Sequence, residues 1–208
     1  MIVSFIGFMG CGKSSVGRRL SELLCCRFVD LDNYIEEKAG RTIPEIFAGD
    51  GEGAFRQMEL QALSEILVQE GLERVPKPPT TTIISLGGGT VVTPGCAELV
   101  REKTCCIYLR TSVETLVERL ENEAEGRPML ASGQNADKTE GQDAETLKDQ
   151  DAETLKVRKS ALRERIETLI AKRSSTYEAT AHHVIDTDGL SIDTISRTVI
   201  HLLDTTNI

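Results

Sequence analysis

The stretch Gly7-Phe8-Met9-Gly10-Cys11-Gly12-Lys13-Ser14 decides how the rest of the chain is read. It fits the pattern G-x-x-x-x-G-K-[S/T], follows the apolar run Ile2–Ile6 and opens the helical pattern Ser14–Leu24. Strand, glycine loop and helix in that order form a phosphate cradle, because successive backbone N–H groups and the helix N-terminus face the anion. Lys13 is placed to meet the β- and γ-phosphate oxygens, and the Ser14 hydroxyl to ligate Mg²⁺. Gly10, Cys11, Gly12 and Ser15 complete the expected ATP-binding loop. A glycine-rich turn carrying a chance Gly-Lys-Ser competes with this reading, but it does not account for the register of strand and helix on either side.

Working outward, short β-rich runs alternate with longer helical patterns. Strands are expected at Ile2–Ile6, Arg27–Val29, Thr82–Leu86, Cys105–Leu109 and His183–Asp186. Helices are expected at Ser14–Leu24, Ala54–Gln69, Pro94–Arg101, Val113–Leu120, Val157–Ala179 and Ile192–Leu203. Such alternation predicts an α/β fold: a five-stranded parallel sheet with helices on both faces. In sheets of this kind ligands bind beyond the carboxyl ends of the strands, so the residues just after each strand should carry the chemistry.

The 208 residues suit one domain, and 39% hydrophobic content is enough for a core. Thirty-three acidic against 24 basic side chains leave a net charge of −9. That excess repels a phosphate backbone or an anionic membrane, so neither nucleic acid nor membrane is expected as a partner. No apolar run approaches the ~20 residues of a bilayer span, and no targeting peptide is seen, so a cytoplasmic location is expected. The cysteines, Cys11, Cys25-Cys26, Cys96 and Cys105-Cys106, lack metal-binding spacing. They read as small buried hydrophobes in a reducing compartment, although Cys11 at a helix N-terminus could be reactive. The histidines His182, His183 and His201 lie away from every motif. Between Gly133 and Lys156 the heptapeptide Gln142–Lys148 recurs word for word at Gln150–Lys156, which reads as a duplicated, solvated low-complexity insertion, partly helical or disordered. It carries seven acidic residues and three lysines, so nearly half of the net charge belongs to it.

Three further signals sit at the ends of the expected strands. Asp30-Leu31-Asp32 ends the second strand. Paired acids there suit two tasks, ordering the waters of Mg²⁺ and accepting an alcohol proton; a turn-forming Asp and a helix cap before Asn33 compete. Arg56 and Glu59 lie three apart on a helix and share a face, so the acid could orient the guanidinium for a carboxylate partner. An ordinary surface ion pair is the alternative. Gly87-Gly88-Gly89 after the third strand offers bare N–H groups and close ligand approach, or else a plain flexible turn.

Taken together, GFMGCGKSSVGRRL, FVDLDNYIE, GEGAFRQMEL and ISLGGGTVV, in this order, resemble the shikimate kinases. Arg127-Pro128-Met129-Leu130 is similar to that family's lid signature, and Lys172–Tyr177 to its last motif. The resemblance implies a P-loop kinase fold over 1–208 with a substrate-binding region at about 32–70, a lid at about 121–132 and the insertion 133–156 outside the pattern. It implies ATP as co-substrate, Mg²⁺ as cofactor, and transfer of a phosphoryl group to the 3-hydroxyl of shikimate on the route to aromatic amino acids. Asp32 matches the ring-hydroxyl ligand and expected base, and Asp30 the acid near Mg²⁺ that acts through water in the family pattern. Arg56 and Arg173 match the carboxylate grip, and Gly87, Gly88 and Gly89 the substrate loop. Glu59 matches the acid orienting Arg56, while Phe47 and Phe55 would line an apolar wall. Arg127 matches the lid arginine over the transferring phosphoryl group, and Arg119 a residue that stacks on adenine. A monomer is expected. Two other readings compete: a P-loop kinase of another small carboxylated polyol such as gluconate, or of a nucleoside monophosphate, and a non-catalytic nucleotide-binding module. The two arginines disfavour a nucleotide acceptor, and retention of Lys13, Asp32 and Arg127 disfavours the module.

Overall fold

A computed structural model describes residues 1–72, 81–121 and 147–205, with the side chains of 69–72 and 147–155 left aside. Two units divide the chain, Met1–Thr111 with Arg173–Ile208, and Ser112–Lys172. Among the described residues no helix is long and apolar enough to cross a membrane.

In the first unit five strands, β1 (Ile2–Ile6), β2 (Arg27–Asp30), β3 (Thr82–Ser85), β4 (Cys105–Arg110) and β5 (His183–Asp186), form one sheet in the order β2-β3-β1-β4-β5. Every pairing is parallel; β1 sets Ile2 beside Thr82 on one side and Val3 beside Cys105 on the other. The central strands β1, β3 and β4 are buried almost throughout because both faces are covered, whereas the edge strands β2 and β5 are partly exposed. On one face Ile6, Val29, Ile84, Leu86, Cys106 and Tyr108 cluster with Leu63 and Ile66 of α4 (Gly51–Leu72), Val100 of α5 (Cys96–Lys103) and Tyr177. Toward the other face α1 (Lys13–Leu24) packs on β3 and on α8 (Ile192–Thr205). Gly17 lets α1 sit close to the sheet: a Cβ there would lie 2.6 Å from the Phe28 ring.

Two short helices, α2 (Leu31–Ala39) and α3 (Ile43–Gly49), fold with α4 beside the end of β2. Neither was expected from periodicity, since both are too short to show it. Their caps were nevertheless written in the sequence. The Asp30 carboxylate accepts hydrogen bonds from the backbone N–H groups of Asp32 and Asn33. Thr42-Ile-Pro-Glu45 forms a capping box, with the Thr42 N–H donating to Glu45 at 2.7 Å. The other elements agree with the expected spans to within a few residues, apart from a 3₁₀ turn at Thr90–Val92 and one long helix. That helix, α7, runs Leu147–Thr180 and takes in the second heptapeptide copy, whose Ala, Glu, Leu and Lys favour helix.

The cysteine expectation needs one correction. Cys11, Cys96, Cys105 and Cys106 are buried, but Cys25 is exposed and Cys26 partly so. Cys25 ends α1 in the left-handed region at φ 48°, which turns its side chain to solvent.

The second unit contains α6 (Val113–Leu120), capped by the Ser112 hydroxyl, and α7 as far as Lys172. Lys159 pairs with Glu121 at 2.9 Å, and Arg163 pairs with Glu114 and Glu167.

Candidate functional site

The phosphate loop joins β1 to α1 and is shaped by glycines. Gly7, Gly10 and Gly12 take φ of 140°, 79° and 98°, a region that disfavours side chains. Gly7 is also pressed against the sheet, since a Cβ there would lie 2.6 Å from the Leu109 carbonyl oxygen. Lys13 is buried at the first turn of α1, and its ammonium donates to the carbonyls of Gly7 (2.9 Å) and Phe8 (3.0 Å). The cation is thereby held over the loop and ready to exchange carbonyl oxygens for phosphate oxygens. Cys11 is buried beneath it, its sulfur 3.8 Å from Lys13 Nζ. Ser14 and Ser15 lie exposed on the first turn.

The Ser14 hydroxyl donates to Asp30 Oδ2 at 2.6 Å and sits 3.1 Å from Ser85 Oγ at the end of β3. Asp30 therefore caps α2 with one oxygen and reaches the phosphate loop with the other. The capping role and the metal role, opposed in the sequence, coexist. Hard oxygen donors converging beside a phosphate cradle fit Mg²⁺, which takes few protein ligands and keeps several waters.

Asp32, two residues on, is mostly buried in the first turn of α2. Its carboxyl is pushed up to about 6, chiefly by burial and next by the charge of Asp30; Lys13 opposes the shift, and Glu59 and Glu36 add to it. A carboxylate poised near neutrality suits proton acceptance from an alcohol.

The three glycines bring the parts together. A Cβ on Gly87 would lie 2.7 Å from Asp32 Oδ1 and 2.9 Å from Thr90 Oγ1. One on Gly89 would lie 2.7 Å from Arg56 Nη1, and one on Gly88 3.1 Å from the Met9 amide nitrogen. One loop thus touches the acid, the guanidinium and the phosphate loop, and any side chain on it would force them apart. Gly88 also turns its carbonyl to α7, accepting from Arg173 Nη1 at 3.2 Å and from the Tyr177 hydroxyl. Arg173 is buried, so both expected grip arginines converge on one loop.

Arg56 is partly buried. Its Nη1 donates to Glu59 at 2.6 Å, while Nε and Nη2 donate to Glu52 at 3.3 and 2.9 Å. Glu59 is only 1% exposed, which removes the surface-pair reading of Arg56 and Glu59. Behind Arg56 the Phe47 and Phe55 rings pack at 4.8 Å, with the guanidinium 5.5 Å above Phe55. Of the remaining expected residues, Arg119 lies on α6 in the second unit, and Arg127, with the lid signature and most of the 121–132 span, falls outside the described residues.

Sequence reasoning missed Ser85, Glu52, Thr90, Thr93 and Tyr177. Tyr177 was within reach, since it lies four residues after Arg173 and so shares its helix face. Nothing about the residue type of Ser85, Thr90 or Thr93 separates a site member from a turn former.

Comparison with known proteins gives a consistent result. A family model described as shikimate kinase matches residues 9–204. The chain is 34% identical over 203 residues to a shikimate kinase of Dictyoglomus turgidum, covering 97% of this chain and 96% of that one. It is 34% identical over 202 residues to one of Chlorobaculum tepidum, covering 95% and 90%. Among solved structures, a shikimate kinase from Acinetobacter baumannii in complex with shikimate superposes with a TM-score of 0.75 at 26% identity, covering 100% of this chain and 94% of that one.

Proposed function

The chain belongs to the shikimate kinase family, enzymes that phosphorylate the 3-hydroxyl of shikimate with ATP, and we propose the roles by which its residues carry out that reaction. It is a transferase that makes 3-phosphoshikimate and ADP, a step toward chorismate and the aromatic amino acids.

The donor phosphates are taken by the amides of Gly10, Cys11, Gly12, Ser14 and Ser15, with Lys13 leaving the Gly7 and Phe8 carbonyls for the β- and γ-oxygens. Ser14, directly, and Asp30, through water, would hold Mg²⁺; the ion would neutralise charge on the transferring group. Asp32 binds the ring hydroxyls and receives the proton of the attacking one. Arg56 and Arg173 grip the carboxylate, and planar forks serve better than lysines because they fix its plane. The Gly87–Gly89 amides meet a hydroxyl from the other side. Phe47 and Phe55 offer the ring an apolar wall. Arg127 stabilises charge on the transferring group, within a lid at about 121–132, and Arg119 stacks on adenine; both roles rest on the family resemblance. We further propose a single working domain, with a substrate-binding region at about 32–70, acting as a cytoplasmic monomer without nucleic-acid partners.

The observation that carries this reading is the contact of one glycine loop with Asp32, Arg56, Arg173 and the phosphate loop together. A base, a carboxylate grip and a phosphate donor meet there, which a small carboxylated polyol needs and a nucleotide acceptor does not. ADP release measured with shikimate, gluconate and CMP at saturating Mg-ATP tests it. Shikimate-dependent turnover is expected, with gluconate and CMP near background; no turnover on shikimate overturns the reading.

A further inference from the structure

Behind the proposed acceptor site lies a polar layer in which Arg56 and Glu59 have roles above but the two threonines that complete it have none. Glu59 Oε2 accepts from Arg56 Nη1 at 2.6 Å and from Thr93 Oγ1 at 3.0 Å, and Oε1 accepts from Thr90 Oγ1 at 2.8 Å. Glu59, Thr90 and Thr93 are 1%, 0% and 5% exposed, so water does not compete for these positions. A carboxylate only accepts, so both hydroxyl protons must point at Glu59.

Both threonines lie on the turn that leaves the glycine loop. The Thr90 amide donates to the Gly87 carbonyl at 3.2 Å, and the Thr93 amide to the Thr90 carbonyl at 3.0 Å. Arg56 and Glu59, by contrast, lie on α4. The two hydroxyls are therefore the link that registers the α4 guanidinium against the loop, which Gly89 leaves open to it. With one hydroxyl on each oxygen, the Glu59 carboxylate cannot rotate without breaking a buried bond, and Arg56 Nη1 is held with it. Among the described residues the fork edge, Nε and Nη2, is met by Glu52, and that carboxylate is 57% exposed and easily displaced.

The geometry points to Thr90 and Thr93 as positioning residues for the substrate carboxylate: by clamping Glu59 they fix Arg56 at the glycine loop. The inference rests on the reading that shikimate is the acceptor and that Arg56 grips its carboxylate. Both threonines act through Glu59 and touch neither substrate, so their removal should fall on the acceptor and spare the nucleotide.

The test uses the full chain with Thr93→Val and Thr90→Val, each near-isosteric but lacking the donor, and with Thr93→Ser, which keeps it. Steady-state kinetics in both substrates, calorimetric titration with shikimate and thermal melts are recorded. Removing one donor from a buried carboxylate should raise KM and Kd for shikimate about tenfold, leaving KM for ATP and kcat within about twofold. Thr93→Ser should restore the value of the unsubstituted protein. Thr93→Val added to Glu59→Gln should cost little more than Glu59→Gln alone, because the hydroxyl acts through that carboxylate. If valine at 93 prevents folding, Thr93→Cys replaces it, and KM must rise for the weak thiol donor and not for serine. An unchanged shikimate KM overturns the assignment, as do fully additive effects or a parallel loss of ATP affinity that serine does not restore. In each of those cases the unsubstituted protein still turns over shikimate. If it does not, the function itself falls.

Discussion

The phosphate loop and the acceptor corner meet at Gly88 yet are built by different means. The loop is mainly a backbone device: its shape comes from positive φ at Gly7, Gly10 and Gly12, and its proposed ligands are backbone amides joined by the Lys13 ammonium and the Ser14 hydroxyl. The acceptor corner is a side-chain device, in which Asp32, Arg56 and Arg173 reach the glycine loop and Glu59 is held by two hydroxyls. A backbone device depends on what side chains leave out, a side-chain device on what each one supplies. Lys13 and Ser14 aside, substitutions that keep φ should therefore be tolerated in the loop, whereas near-conservative changes should damage the corner.

The largest effect is expected at the acid. Asp32→Asn keeps shape and removes the proton acceptor, so kcat should fall by roughly 10²–10⁴. ATP affinity, measured by calorimetry, should stay within about twofold. The same variant should be more stable at neutral pH. Because folding raises the Asp32 carboxyl to about 6, its contribution to stability is complete below the ordinary carboxylate range and lost as pH rises through about 6. The variant's advantage in urea melts should therefore grow from pH 4 to 7, reaching about 2 kcal/mol. Equal loss of ATP binding would place Asp32 in the loop's function instead. Next in size, Lys13→Ala removes the one side-chain cation of the phosphate loop and should weaken ATP binding and kcat together, by about a hundredfold in kcat/KM for ATP.

Much of this division was legible beforehand. The loop announced itself because its glycines, lysine and serine are fixed by spacing within eight consecutive residues. The parallel sheet followed from alternating runs, and its five strands lie where those runs are. From the residues alone the acceptor corner was legible as three separate signals, each with an ordinary competing explanation, because its members span Asp32 to Arg173 and meet only after folding; the family resemblance was what joined them. Asp30 shows why such choices resist sequence reasoning: cap and metal-site residue are the same carboxylate, used through different oxygens. The threonines behind Glu59 were invisible, since a hydroxyl after a glycine loop is ordinary turn chemistry. Helices α2 and α3 were overlooked for lack of length.

Two smaller effects sharpen the contrast. Arg56→Lys keeps the charge but loses the fork shared between Glu59 and a carboxylate ligand, so KM for shikimate should rise about thirtyfold while KM for ATP stays put. A rise of under twofold would mean that charge alone suffices there. The proton acceptor should also show in the acid limb of kcat/KM for shikimate, which reports the free enzyme. With Asp32 near 6, the rate should drop about tenfold per unit below that pH, and the limb should vanish from the residual activity of Asp32→Asn.

The smallest effect is expected in the loop itself. Cys11 is buried 3.8 Å from the Lys13 ammonium, a place where a side-chain device would be sensitive. Its amide, however, donates to the Phe8 carbonyl at 3.2 Å, and its sulfur fills space beside Gly7 and offers Lys13 no more than a long, weak acceptor. Cys11→Ser preserves both the amide and nearly the volume, so kcat/KM for either substrate should change less than about twofold, since exchanges of similar volume cost little. Burial should likewise protect the thiol: iodoacetamide should label Cys25 first, because that residue faces solvent at the end of α1. If Cys11→Ser lowered kcat/KM for ATP tenfold, the sulfur would be supplying something the amides do not, and the loop would have to be counted with the acceptor corner as a device that works through its side chains.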